Sequence, residues 1–270
     1  MGDSQRRAVV GLRAKTLVWV QASIGLIGFA TVLELAPRLG LVSPRYLPPF
    51  SVIAVALAAE IQQANFWAAL AFTMRSWAIG LTISVVAGTG LGILIGSSAW
   101  LQAVTHSTIE FLRPIPSVAL IPIAILLFGT TLQSNLVLVI YASFWQVLVQ
   151  VLSGVQDVDP VARETAQSYR LGHWALVRHV IWPTTLPYLM TGIRLAASVA
   201  LILAITAELT IGTPGLGKEL SLAQSGGAVA VMYAYLIVMG LIGVAVNLAA
   251  RGLERSIMPW HPSLRAELPA

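Results

Sequence analysis

Long apolar runs decide what this chain can fold into. They lie at about 17–35, 71–95, 111–129, 136–152, 188–207 and 228–249. A bilayer core of about 30 Å takes roughly 20 helical residues. Each run is near that length, so the expected fold is an all-α polytopic membrane protein. Six transmembrane helices form a single transmembrane domain over 1–270. Apolar residues make up 57% of the chain and charged ones only 10%, where a soluble domain averages about 25% charged. A further apolar stretch, Ser51 to Gln63, is only 13 residues long. It is too short to cross and ends in Glu60, Gln62 and Gln63, which suits an interfacial helix on the outer side.

Charge sets the orientation. With six spans, both termini share a side with the connections at 97–113 and 153–187. That side carries 11 Lys or Arg, the opposite side only four (Arg38, Arg45, Arg75 and Lys218). Cytoplasmic loops are the basic ones. The N-terminal segment 1–16, the 153–187 loop and the tail 256–270 are therefore expected in the cytoplasm. The net charge of +5 is explained by this bias and gives no reason to expect nucleic acid. The run from Leu17 reads as a span, since no small-x-small cleavage site follows it before Pro37. There is no cysteine, and His106, His173, His179 and His261 are scattered. Disulfides are excluded and no metal site is expected.

Within the runs, local chemistry assigns faces. Gly88, Gly92 and Gly96 recur at the spacing that lets membrane helices approach closely. Pro114, Pro116 and Pro122 should break the third run, and a break in a membrane must line protein or a wet cavity. Ser143, Gln146 and Gln150 share one face of the fourth run, near Tyr141; that face serves helix packing or a solute pathway. Arg194 lies near the inner end of the fifth run and can snorkel to the surface. Glu208 ends that run beside a glycine-rich turn. It is read as a structural acid bonded to backbone N–H groups, with a place on the pathway as the other possibility.

The longest polar interruption is Val158 to Pro187, containing Arg163, Glu164, Arg170, His173, Arg178 and His179. Asp159-Pro160 is a helix start: Asp caps, and Pro suits the first turn. Two short helices are expected, broken near Leu171-Gly172, with Pro183 and Pro187 closing the stretch. Composition alone describes a solvated loop. The pattern, however, resembles the EAA loop of permease subunits of binding-protein-dependent ABC importers. Glu164-Thr165-Ala166 begins it, and Val180, Trp182 and Pro183 end it at the family spacing. Thr165 stands for Ala, Val180 for Ile, Trp182 for Leu, and Arg170 for the family glycine. A glycine there would supply positive φ; Arg170 would be strained in it, so the expectation is ordinary right-handed backbone, with the break moved to Gly172.

Two more segments resemble the nitrate/sulfonate/taurine branch of that family. One is Arg113-Pro-Ile-Pro with its later Ile-Pro and Phe-Gly; the other is Ala207-Glu208 followed by Gly215-Leu216-Gly217. The resemblance covers about 20–255. It implies the type I permease fold of ABC importers in a bacterial inner membrane. It also implies a second permease copy, in a homodimer, two ATPase subunits docked on the cytoplasmic loops, and an extracytoplasmic solute-binding protein. The docking residues it points to are Glu164, Thr165, Ala166, Arg170, Gly172, Val180, Trp182 and Pro183. The implied cargo is a small solute such as a sulfonate, taurine or nitrate.

No enzyme is expected. Gly212 to Lys218 fits the GxxxxGK part of a nucleotide loop, but Glu219 replaces its Ser or Thr, and no strand precedes it. ATP and magnesium belong to the partner ATPase, and this chain holds no cofactor. The alternative is a transporter driven by an ion gradient, which needs ionisable residues inside the spans. Topology is open to a direct check, because the chain is free of cysteine. Ser168→Cys is expected to resist an impermeant thiol reagent in intact cells and to react once the membrane is opened. Labelling from outside intact cells contradicts the orientation.

Overall fold

The computed structural model describes residues 24–25 and 27–258. Its elements are all helical. Residues 27–38 form α1. They are followed by α2 (Phe50–Ile61), α3 (Ala64–Gly96), α4 (Ala99–Leu112), a 3-10 turn (Ser117–Leu120) and α5 (Ile121–Phe128). Then come α6 (Leu132–Gln156), α7 (Pro160–Ser168), α8 (His173–Leu176), a π turn (Val177–Ile181), α9 (Trp182–Ile211), α10 (Leu216–Ser225) and α11 (Val229–Ile257).

Among the described residues, four helices are long and apolar enough to cross a membrane: α3, α6, the continuous 173–211 helix, and α11. The pair α4 and Ser117–Phe128, bent by 82°, brings the number to five when it is taken as one broken span. The expected first span reaches the described region only in part; 17–23 and 26 lie outside it, as do the N-terminal segment and residues 259–270 of the tail. The third expected span differs more. Only eight α-helical residues follow the prolines. The other arm of the bent pair is α4, which the sequence placed in a connection. Pro114 and Pro116 cannot continue α4, whereas Pro122 sits in the first turn of α5, where its missing N–H costs nothing.

The core is organised around α6. Along α3, Ser76, Gly80, Ser84, Gly88, Gly92 and Gly96 are all buried. A Cβ on Gly80, Gly88, Gly92 or Gly96 would fall within 3.0 Å of Val139, Val147, Val151 and Val155 respectively. The offset between partners is constant and of one sign, so α3 and α6 run parallel, each using its four-residue rows as ridge and groove. Those four valines are 0% exposed. Lipid is as apolar as valine, so the contact is held by close packing rather than by release of water. Ser84 reinforces it by donating to the Ile140 carbonyl at 3.1 Å.

On its other side α6 packs antiparallel on α9. The Asn135 amide donates to the Ala204 carbonyl at 3.3 Å. Further along, Gly192 meets the Val147 backbone and Gly154 meets Thr185. Outside this three-helix core, α11 joins α9 through an Arg194–Glu254 ion pair of 3.5 Å. Arg194 is thus held by a partner rather than reaching for the surface alone. The short α2 is fastened at both ends. Glu34 accepts from the Ser51 N–H at 2.8 Å, while Tyr235 donates to Glu60 at 2.9 Å.

The stripe makes a position-specific prediction. Gly92→Leu places its Cβ 2.6–2.8 Å from Val151 and is expected to destabilise the fold by about 1–3 kcal/mol or more. Gly90→Leu, where a Cβ meets nothing within 4 Å, is expected to be neutral. Thermal unfolding of the detergent-purified chain separates the two; equal melting points contradict this packing.

Candidate functional site

One end of the bundle carries the polar loop. Asp159 caps α7 as its residue type suggests, accepting from the Val161 N–H at 2.8 Å. The helix is anchored from below: Val158 and Ala166 are buried, and Val158 packs in one cluster with Val155 and Ile181. Tyr188 secures the preceding turn by donating to Asp157 at 2.7 Å.

The exit from α7 corrects the sequence reading. Arg170 has φ +53° and is the one non-glycine residue with positive φ among the described residues. The Leu171 N–H donates to the Ala166 carbonyl at 3.0 Å, which closes a Schellman-type C-cap around a left-handed residue. Arg170 therefore adopts the conformation a glycine would take. Gly172, expected to carry the break, is ordinary extended backbone with φ −64° and ψ 161°. The wrapped carbonyls of α7 require a left-handed residue at this place, and that requirement outweighs the strain on Arg170. Pro183 and Pro187, which close the polar stretch, both lie in α9, which follows α8 and the π turn without a gap. The π turn at Val177–Ile181 immediately precedes Pro183, and its wider winding accommodates the missing N–H.

The loop presents a mixed surface. Glu164, Thr165, Arg170, Gly172 and Pro183 are exposed, Trp182 is exposed to 39%, Val180 is half-buried and Ala166 is buried. Sequence reasoning passed over Val161, Tyr169 and Trp174, which are 67%, 79% and 76% exposed. Aromatics on both sides of a break in a polar stretch were the available signal. Among the described residues, Glu164, Arg170 and Arg178 have no ion-pair partner. The two neighbouring acids are engaged locally, Asp157 by Tyr188 and Asp159 by the α7 cap.

The fourth-run residues separate. Ser143 is 0% exposed and donates to its own helix at the Val139 carbonyl, 2.7 Å away, in the register that faces α3. Gln146 and Gln150 are half-buried and lie against Gly192 of α9. Tyr141 donates to the Leu112 carbonyl at 2.6 Å, tying α6 to the end of α4.

Glu208 occupies the far end of α9 and is 0% exposed. Its Oε2 accepts from the Thr73 hydroxyl at 2.8 Å and from the Gly217 N–H at 3.0 Å. Thr73 in turn accepts from the Leu216 N–H at 2.9 Å. Gly212 (φ +79°) stops α9 and Gly215 (φ +143°) turns the chain back over the carboxylate.

The comparisons with known proteins agree with this architecture. Residues 88–259 match the family model described as binding-protein-dependent transport system inner membrane component. The taurine transport system permease protein of Escherichia coli is 30% identical over 263 residues, 93% of this chain and 96% of that protein. The nitrate import permease protein of Leptolyngbya laminosa is 25% identical over 73% of this chain and 70% of its own. A bacterial ABC transporter involved in the import of the acidic polysaccharide alginate has a chain that superposes with a TM-score of 0.63. It is 13% identical, covering 93% of this chain and 99% of that one.

The geometry at Arg170 is testable by itself. Holding a non-glycine residue left-handed costs roughly 1–2 kcal/mol. Arg170→Gly is therefore expected to raise the stability of the purified chain by about 1 kcal/mol, part of the relief being offset by glycine's larger loss of backbone freedom. Gly172→Ala, in extended backbone with open space around it, is expected to be neutral. Chemical unfolding in detergent measures both, and a destabilised Arg170→Gly contradicts the left-handed assignment.

Proposed function

The chain belongs to the family of binding-protein-dependent transport system inner membrane components, and from that premise we propose that it forms the solute pathway of an ATP-driven importer for small oxyanions. The observation that carries the reading is the loop surface at 158–183. There Tyr169, Trp174 and Val161 stand exposed beside the unpaired Glu164 and Arg170. Such a surface suits a groove with an apolar floor and charged rims on a cytoplasmic ATPase subunit. ATP and magnesium are then held by that partner, and this chain supplies the pathway and the linkage. Two copies pair around the pathway, and a solute-binding protein delivers cargo on the outer side.

The linkage is mechanical. From His173 to Ile211 the chain is helical for 39 residues, about 58 Å at 1.5 Å per residue. The helix begins in the docking loop, so motion imposed on α7 and α8 passes to the far end of the bundle. Taurine and nitrate, named for two relatives, are small and carry oxyanion groups; a cargo of that class is the reading for this chain. An ion-gradient mechanism finds little support, because Glu208 is tied to Thr73 and Gly217, and Arg194 pairs with Glu254.

The test is uptake of taurine, ethanesulfonate and nitrate by proteoliposomes holding this chain, its ATPase subunit and its binding protein. ATP-dependent accumulation of at least one is expected. Glu164→Lys is expected to leave the complex assembled and hydrolysing ATP while uptake falls roughly tenfold, the effect of losing about 1–3 kcal/mol of coupling. Normal uptake by Glu164→Lys means the loop is not the lever.

A further inference from the structure

The glycine-rich segment that imitates a nucleotide loop has a ligand already: Glu208. Three features define its site. The first is donors. The Gly217 N–H in the first turn of α10 and the Thr73 hydroxyl from α3 both point at Oε2, at 3.0 and 2.8 Å. The Leu216 N–H completes the set by donating to Thr73 at 2.9 Å. A helix start with free N–H groups and a favourable dipole attracts anions. The second is shape. A Cβ on Gly215 would lie 2.2 Å from Glu208 Cδ, and one on Gly217 would lie 2.4 Å from the Ile205 carbonyl oxygen. The backbone has closed on the carboxylate to a distance only glycine permits. The third is Glu208 itself, 0% exposed, with Oε1 accepting no hydrogen bond among the described residues. The side chain is thus held through Oε2 and by the close fit of the glycine backbone around it.

We propose that Thr73, Gly215, Leu216 and Gly217 form an anion-binding nest, selective for a small carboxylate-like oxyanion, whose resident ligand is the Glu208 side chain. The nest joins α3, α9 and α10 through one group and seats α10 on the bundle. The nest as such does not depend on the importer reading; only its placement at the outer mouth of the pathway rests on that reading.

Removing the internal ligand and supplying it from solution tests this. Ala223 on α10 is 8% exposed, and Ala223→Cys gives this chain a single buried thiol. Its reactivity toward a maleimide reports how firmly α10 is seated. Adding Glu208→Ala is expected to speed the reaction roughly tenfold or more, as the loss of a charged buried hydrogen bond implies. Acetate or propionate is expected to slow it again, and uncharged propanol is not. Thr73→Val, which keeps the carboxylate but removes the bridging hydroxyl, is expected to loosen α10 and to be insensitive to acetate. Unchanged reactivity in both Glu208→Ala and Thr73→Val overturns the proposal. So does a loosened Glu208→Ala helix that acetate fails to re-seat, or that propanol re-seats equally well. Should the Glu208→Ala complex not assemble, Glu208→Gln serves in its place. It is expected to raise reactivity while occupying the same volume, and wild-type reactivity there overturns the role of charge. Failure of the importer reading is seen separately, as absent uptake by the unmodified complex.

Discussion

Everything in this structure depends on how closely α3 and α6 approach. In water, apolar helices are driven together by the release of solvent; in lipid that drive is missing, and contact must come from packing. Glycines at 80, 88, 92 and 96 let the ridge of Val139, Val147, Val151 and Val155 settle onto the α3 backbone. Once α6 is fixed in that groove, its other side receives α9, with Gly154 and Gly192 again removing side chains at the contact. The two registers have opposite senses, parallel and antiparallel, and together they determine the core. Around it, α10 and α11 pack on α3 and α9 through apolar clusters such as Phe66, Leu216 and Tyr235, with the Arg194–Glu254 pair added, and α2 is tied to α11 by Tyr235–Glu60.

The core in turn gives α9 its significance. The helix from His173 to Ile211 starts among the loop residues and carries Glu208 in its last turn. Trp182 and Glu208 are 26 residue steps apart, about 39 Å of helix. A helix packed along this length against α6 transmits displacement rather than absorbing it. A π turn lies at its junction with the 158–183 loop, and such wide turns gather near functional sites. The loop and the Glu208 nest are thus two ends of a single rigid element.

Much of this was legible in the sequence because it follows from local chemistry. The four-residue glycine repeat, the Asp159-Pro160 start of α7 and the proline break after Arg113 all depend on nearby residues, and each is seen. What escaped depends on competition between levels. Arg170 takes a left-handed conformation because the C-cap of α7 demands one, against its own preference. Pro183 falls in the first turn of α9, where the preceding π turn makes room for it, while Pro187 lies inside that helix. Ser143, Gln146 and Gln150 share a helical face by periodicity, but two different neighbours, α3 and α9, divide it between them. Tyr169 and Trp174 look in sequence like residues for burial; only the fold leaves them outside, at the end of the molecule that carries Glu164 and Arg170.

The central claim is that this end of the molecule meets the ATPase subunit. Site-directed cross-linking tests it most directly, since any introduced cysteine is the only one in the chain. Tyr169→Cys, carrying a short photoactivatable linker in the assembled transporter, is predicted to cross-link to the ATPase subunit, while Ser225→Cys at the opposite end is predicted not to. A cross-link from Ser225→Cys to the ATPase, with none from Tyr169→Cys, contradicts the account.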